Sequence, residues 1–203
     1  LEMLSRARAD LRMGVPVVLA DGKESMLFAP IETLDPSRFQ ALCELDDGAV
    51  LAITARRAET LKARAYDGIL ARLTLPKGAD LAWARTVADP KDDLNNPMKG
   101  PFHSARGGDT RFHSFALDMC KDAQLLPAAL VISLQDGTTF GTTHYFTQLD
   151  MATSKKARET GNAMRNVVSA GLPLSVSQAG RLHVFRPDDG GEEHYAVEIG
   201  NPD

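Results

Sequence analysis

The residues best suited to chemistry crowd into one stretch, His103-Ser104-Ala105-Arg106-Gly107-Gly108-Asp109-Thr110-Arg111-Phe112-His113-Ser114. Two arginines, several hydroxyls and the backbone N–H groups of a helix start converge there, a combination that suits a phosphate or a carboxylate. The plainer reading is a capped helix with solvated arginines. His113, flanking an apolar stripe, reads equally as a hydrogen-bonded structural residue. A thinner group is acidic: Asp21, Glu24 and Glu32, around an early turn. Paired carboxylates there offer the hard oxygens that Mg²⁺ takes beside a sugar phosphate, or form an ordinary polar turn with a surface glutamate. Asp89, Asp92 and Asp93 read as a solvated loop face and not a metal site. Cys120, inside the apolar stripe, reads as core and not as a nucleophile.

Stronger signatures are missing. The chain has no P-loop, no G-x-G-x-x-G, no G-x-S-x-G, no zincin histidine pair and no Cys-x-x-Cys. Two distant cysteines, Cys43 and Cys120, do not make a cysteine-based zinc site by themselves. They fit a reduced, cytoplasmic chain in which free cysteine is a small buried hydrophobe.

The elements that must hold these residues follow from hydrophobic spacing. Met3, Leu4, Ala7 and Leu11 recur at helical intervals up to Gly14. Val15–Leu19 and Met26–Ala29 read as strands on either side of the Asp21-Gly22 turn. Asp35-Pro36 is an N-cap with proline at N1, opening a helix through Phe39, Leu42 and Leu45. A strand over Ala49–Thr54, a helix over Arg56–Arg64, a strand over Ile69–Leu75 and a helix over Asp80–Val87 come next. From Asp89 to Gly108 periodicity fails, and so long a loop is either a site loop or a lid. Phe112, Phe115, Ala116, Met119, Cys120 and Ala123 then form the cleanest amphipathic stripe, capped by Asp109 or Thr110. Pro127 stops that helix, and Ala128–Leu134 is a strand apolar enough to be covered on both faces.

Asp136-Gly137 reads as a turn and Thr138–Phe146 as a strand or irregular hairpin. Asp150 is expected to cap a long helix to Ala170, with Gly171 at C′ and a short strand over Leu172–Val176. Arg181–Arg186 and His194–Ile199 alternate as two arms of an antiparallel hairpin around the turn Pro187-Asp188-Asp189-Gly190-Gly191. A boundary is placed near Gln178–Gly180. The fold class is therefore α/β (α+β): a mixed sheet covered by helices, followed by a β-hairpin.

With 203 residues, 43% hydrophobic and 25% charged, the chain is ordinary globular material. Its apolar runs, such as Leu125–Leu134, are far short of the roughly 20 residues a membrane helix needs. Lys and Arg number 23 against 27 Asp and Glu, and the net charge of −4 argues against wide nucleic-acid binding. Leu1 at the start and Gly200-Asn201-Pro202-Asp203 at the end suggest a piece of something longer.

The order of these motifs resembles a known family. Ala9-Asp10-Leu11-Arg12-Met13-Gly14-Val15-Pro16-Val17-Val18-Leu19-Ala20-Asp21 is similar to the opening of 3,4-dihydroxy-2-butanone 4-phosphate synthases. These are riboflavin-pathway enzymes that cleave formate from ribulose 5-phosphate with Mg²⁺. Thr86-Val87-Ala88-Asp89-Pro90 resembles their segment before a proline-rich loop. Gly107-Gly108 through His113-Ser114, with the next helix and Leu126–Val131, resembles their Gly-Gly…Arg-x-Gly-His-Thr, helix and core strand. The stretch Val184–His194 through Asp203 is similar instead to the entry hairpin of GTP cyclohydrolase II.

The resemblance implies a synthase-like domain over residues 1–178 and the start of a cyclohydrolase-like domain over 179–203. It puts His113 where the family has its metal-binding histidine and Ser114 where a threonine contacts phosphate. The departures are chemical. The family's acidic loop, Asp-Asp-x-x-Arg-Glu-Asn-Glu-Gly-Asp, is here only Asp21-Gly22-Lys23-Glu24-Ser25-Met26, with Met26 at the last aspartate. Phe115 replaces a glutamate, Arg111 stands one residue nearer to His113, and Val131-Ile132-Ser133-Leu134 lacks the catalytic glutamate.

A degenerate domain with no catalytic residue is the expectation, its vestigial pocket marked by Arg111, His113, Ser114 and Glu24. No cofactor is expected in this chain: Mg²⁺ belongs to intact synthases, and Zn²⁺, on three cysteines, to intact cyclohydrolase domains. The implied partners are a second copy in a homodimer and a cyclohydrolase domain in cis, with no nucleic acid and no membrane. The role is that of a scaffold or dimerisation domain. The alternatives are GTP cyclohydrolase II activity in another part of a longer chain, or residual sugar-phosphate binding or lyase chemistry in the old pocket.

Overall fold

The computed structural model describes residues 2–161, 164–173, 175, 179–187 and 192–200. Its contacts divide the chain into two units, Arg6–Met151 and Leu1–Ser5 with Ala152–Asp203. Among the described residues no helix is long and apolar enough to cross a membrane.

The helical stripe near the chain start becomes α1 (Glu2–Arg12), whose part from Arg6 onward belongs to the first unit and buries Ala7 and Leu11. Gly14 follows it at φ +70°, where an added Cβ would meet the Thr33 carbonyl oxygen at 2.3 Å, so only glycine fits. β1 (Val17–Asp21) and β2 (Glu24–Pro30) form the expected hairpin around Gly22. α2 (Pro36–Cys43) starts as its sequence requires, with Asp35 Oδ1 accepting the Arg38 N–H at 2.8 Å. β3 (Val50–Thr54), α3 (Ala55–Thr60), β4 (Leu70–Thr74) and α4 (Leu81–Ala88) follow. α5 (Arg111–Asp122) and β5 (Ala128–Leu134) are the amphipathic helix and the apolar strand.

The strands assemble in the order β4-β3-β5-β2-β1-β6, where β6 is Thr147–Asp150. Only β1 and β6 run parallel; every other neighbouring pair is antiparallel, so the sheet is mixed. Val18, Leu27, Ile53, Leu73, Leu130 and Ile132 share one core with residues of α2, α3 and α4. Phe112, Phe115, Ala116, Met119 and Cys120 of α5 are also buried and lie outside that core, against β2, β3 and β5. Five consecutive buried residues in β5 are what a strand covered on both faces shows. Each fully buried Leu, Ile or Phe contributes roughly 1.5–3 kcal/mol.

Two expectations fail, for tertiary reasons. Thr138–Phe146 is not a strand but mostly the helix α6 (Gly137–Thr143), which leads into β6. Asp136 caps it, accepting the Thr139 N–H at 3.0 Å. Gly137 is there for space: its N–H donates to Ser25 Oγ at 2.9 Å, and a Cβ would lie 2.5 Å from Ser25 Cβ. The Asp-Gly pair is thus a cap and a close approach, and docking overrides threonine's poor helix propensity. The long helix to Ala170 also fails: α7 (Met151–Gly161) stops early, and β7 (Met164–Gly171) pairs antiparallel with β8. Val167-Val168 favours the extended form, and the β8 ladder supplies its hydrogen bonds.

In the second unit β8 (Arg181–Pro187) and β9 (His194–Glu198) are the arms of the expected hairpin, and the sheet order is β7-β8-β9. β7 joins β8 across the position where the boundary near Gln178–Gly180 was expected. Gln178 itself, Leu174 and Val176 of the expected short strand, the Asp188–Gly191 turn and Asn201–Asp203 lie outside the described residues.

Candidate functional site

The Gly107-Gly108 turn feeds the N-terminus of α5, and both glycines are left-handed, at φ +68° and +77°. Arg72, on β4, holds the turn in place. Its guanidinium forks onto Asp67, Nε to Oδ2 at 2.8 Å and Nη2 to Oδ1 at 3.0 Å, and also donates to the Gly107 carbonyl. Both side chains of this ion pair are under 10% exposed. Residues 103–105 run beside β4, with the Thr74 N–H donating to the His103 carbonyl at 2.9 Å and the Ala105 N–H to the Arg72 carbonyl at 2.8 Å.

Thr110 is the N-cap of α5 by position, yet its side chain makes no cap bond; Asp109 Oδ1 accepts the Arg111 N–H at 2.8 Å instead. Arg111 is ringed by acid. Its Nε lies 2.9 Å from Asp21 Oδ2, and its two terminal nitrogens pair with Asp109 and Glu24. Burial opposes the charged guanidinium, but the carboxylates of Asp109, Glu24 and Asp21 outweigh it and raise its pKa. The Asp109 carboxyl is held below the usual range, first by the Arg111 backbone N–H and then by the guanidinium charge.

One guanidinium thus faces three carboxylates. The helix start that the sequence offered to an incoming anion is filled by the chain's own anions, and the local charge is negative. Arg106 does not join the group: it stacks on Tyr66, 4.2 Å from the ring centroid, and donates to the Tyr66 hydroxyl at 2.6 Å. Glu32 does not join either. It accepts the Leu126 N–H at 2.6 Å, past the end of β2 opposite Glu24, a strand about 20 Å long by its rise per residue.

His113, in the first turn of α5, is 5% exposed, and among the described residues its Nδ1 finds no hydrogen-bond partner. Burial, reinforced by the Arg72 charge and opposed by Asp67 and Asp109, pushes its pKa down to about 4. It is therefore a neutral core imidazole near pH 7, not a hydrogen-bonded one through Nδ1. Ser114 is half-buried beside it, its N–H bonded to the Thr110 carbonyl at 2.9 Å.

These residues do not fit Mg²⁺. A hard cation wants several oxygens converging on one point, whereas Asp21, Glu24 and Asp109 splay around a planar guanidinium. Among the described residues no three His, Cys, Asp or Glu side chains are placed to hold an ion. The thiols are poor zinc ligands as well: both cysteines are free, and burial pushes Cys120 up to about 12.

The irregular loop is tied down by residues far apart in sequence. Arg57 donates to the carbonyls of Val87 at 2.6 Å, Thr86 at 3.1 Å and Asp89 at 3.2 Å, and forks onto Asp93. Lys99 Nζ, also nearly buried, pairs with Asp93 and donates to the Thr86 carbonyl at 2.8 Å. Hydrogen bonds from Arg57 and Lys99 hold the Asp93 carboxyl far below its ordinary range. Asp93 is therefore an internal counter-ion and not part of a solvated face. A cleft of about 660 Å³ opens here, lined by Leu61, Lys62, Met98 and Phe102 among others.

No protein-family model matches the chain. It is 30% identical, over 212 aligned residues, to GTP cyclohydrolase-2 of Azospirillum brasilense, a match covering all of this chain and 54% of that protein. The chain therefore spans about half the length of the curated relative it matches. Its fold is similar to that of RibBX, a two-domain 3,4-dihydroxy-2-butanone 4-phosphate synthase from A. baumannii, with a TM-score of 0.52 and 15% identity over 97% of this chain and 70% of that one. Along its whole length the chain is thus similar in sequence to one part of a GTP cyclohydrolase-2, and its fold is similar to that of a 3,4-dihydroxy-2-butanone 4-phosphate synthase.

Proposed function

We propose that this chain is a non-catalytic, synthase-like scaffold within a riboflavin-biosynthesis protein of the GTP cyclohydrolase II type, acting in the cytoplasm as a homodimer. The observation that carries the reading is the ring of Asp21, Glu24 and Asp109 around Arg111. Cleaving formate from a sugar phosphate needs carboxylates free to move protons, and positioned acid–base groups of this kind supply about 10²–10⁴-fold each. Here they neutralise an arginine instead, and their net negative charge repels the phosphate. The core-building elements do not depend on these carboxylates, whose side chains are largely exposed, because surface positions tolerate change better than strands tolerate loss of packing.

The match to GTP cyclohydrolase-2 over the whole chain supports a second element of the reading. A cyclohydrolase domain in cis carries whatever chemistry the longer protein performs. This chain turns over no GTP itself, having no set of thiolates for zinc. The test is a formate assay with ribulose 5-phosphate and Mg²⁺, run on a sample whose mass is set by sedimentation. Background formate from a dimer is the expected result. Clear turnover overturns the non-catalytic reading, and a strict monomer overturns the scaffold role.

A further inference from the structure

The three-stranded sheet of the second unit carries a side-chain relay across its three strands. Ser169 on β7 and His183 on β8 are directly paired across the ladder, and Glu198 on β9 lies diagonally beside His183, opposite Arg181. The register shift between Asn166 and Val168 alters the alternation of β7, so that Asn166 and Ser169 bring their side chains together. His183 Nε2 is 2.8 Å from Glu198 Oε2, and Ser169 Oγ is 2.8 Å from His183 Nδ1. Asn166 Nδ2 donates to Ser169 Oγ at 3.2 Å.

The carboxylate decides the tautomer. Glu198 can only accept when ionised, so in the neutral imidazole Nε2 carries the proton and Nδ1 offers its one lone pair, to the serine hydroxyl at 2.8 Å and, more distantly, to the Asn166 amide at 3.3 Å. A hydroxyl donating to a neutral imidazole, itself oriented by a carboxylate, is the arrangement that activates a serine nucleophile. We propose that Ser169 is such a nucleophile, with His183 as its general base and Glu198 as the positioning residue, competent to take an acyl group from a small activated ester.

In that reaction Ser169 Oγ bonds to the ester carbonyl carbon while its proton passes to His183 Nδ1. Collapse of the tetrahedral adduct breaks the bond to the leaving oxygen, which departs with the proton from Nδ1. Water then attacks the acyl-serine, gives its proton to Nδ1 and releases the carboxylic acid, and the proton returns to Oγ. The Asn166 amide is the neutral donor beside the reacting atoms. All eight residues of β7 are exposed, so nothing grips a long acyl chain or excludes water. The substrate class is therefore small and intrinsically reactive, and the acceleration belongs at the low end of the range for general-base catalysis.

The test is covalent labelling of the whole chain with a fluorophosphonate, read by intact mass and peptide mapping, alongside p-nitrophenyl acetate hydrolysis. One adduct at Ser169 is expected, lost in Ser169→Ala, slowed about 100-fold in His183→Asn and about 10-fold in Glu198→Gln. A purely structural cross-strand contact would shift unfolding in these variants without changing labelling, because the unmodified protein would not react. No adduct on the unmodified chain, an adduct elsewhere, or equal labelling of His183→Asn overturns the proposal. The unmodified chain gives an answer even if a variant fails to fold, and the answer does not depend on the formate assay.

Discussion

Two polar clusters, one in each unit, are built from similar residue types and end in opposite states. Around Arg111, three carboxylates close on one permanent cation, and every group is committed to another. Around His183, a carboxylate, an imidazole and a hydroxyl line up across three strands with no permanent cation among them. The count of charges makes the difference: a guanidinium cannot give up its proton and so fixes its partners, while an imidazole can take one and hand it on. Carboxylates alone therefore do not make a proton-transfer site: the first cluster holds three of them, and a permanent internal cation occupies all three.

The contrast is broken most forcefully through the frame of the first cluster. Replacing Arg72 by leucine leaves Asp67 buried and unpaired and frees the Gly107 carbonyl; removing one partner of a buried pair costs about 3–5 kcal/mol, measurable by urea unfolding. An unchanged midpoint would mean the α5 start is held by something else. Next in size is the acid response of His113. Its folded pKa of about 4 lies below the ordinary 6.5, so the unfolded chain binds the extra proton first. Stability is complete above pH 6.5 and falls as pH drops toward 4, by about 3 kcal/mol in all. Unfolding curves across that window should show the slope, and His113→Asn should flatten it. The smallest effect sharpens the charge argument. Inorganic phosphate should leave the melting temperature of the unmodified chain alone, yet raise that of Asp21→Asn/Glu24→Gln by about 1 °C, because two of three competing anions are gone. A phosphate shift in the unmodified chain would show that the ring is open to anions after all.

Local signals were legible and distant pairings were not. The α5 stripe from Phe112 to Ala123, the Asp35-Pro36 start and the β8–β9 hairpin each declare themselves within a few residues, and all are present. Asp136-Gly137 misleads because the glycine answers to Ser25, more than a hundred residues earlier. β7 misleads because its helix-like spacing is overruled by a ladder formed only once β8 is beside it. At the site, Arg111 and Glu24 could be proposed from residue type, and they do meet. Their meeting as mutual neutralisers depends on β1, β2 and α5 converging, which no local pattern encodes. Arg72 with Asp67, and Arg57 with Asp93 and Lys99, were missed for the same reason: lone charges in a sequence look solvated until a fold buries them.

The parallel pairing of β1 with β6 couples Val17–Ala20 to Thr147–Asp150, so the sheet's second strand from the edge finds its last neighbour some 130 positions later. On the ribosome, β1 must wait with bare backbone donors and acceptors until that late strand emerges. Chains cut short before Thr147 would carry an open template for pairing with one another, which makes completion of synthesis itself a safeguard against aggregation.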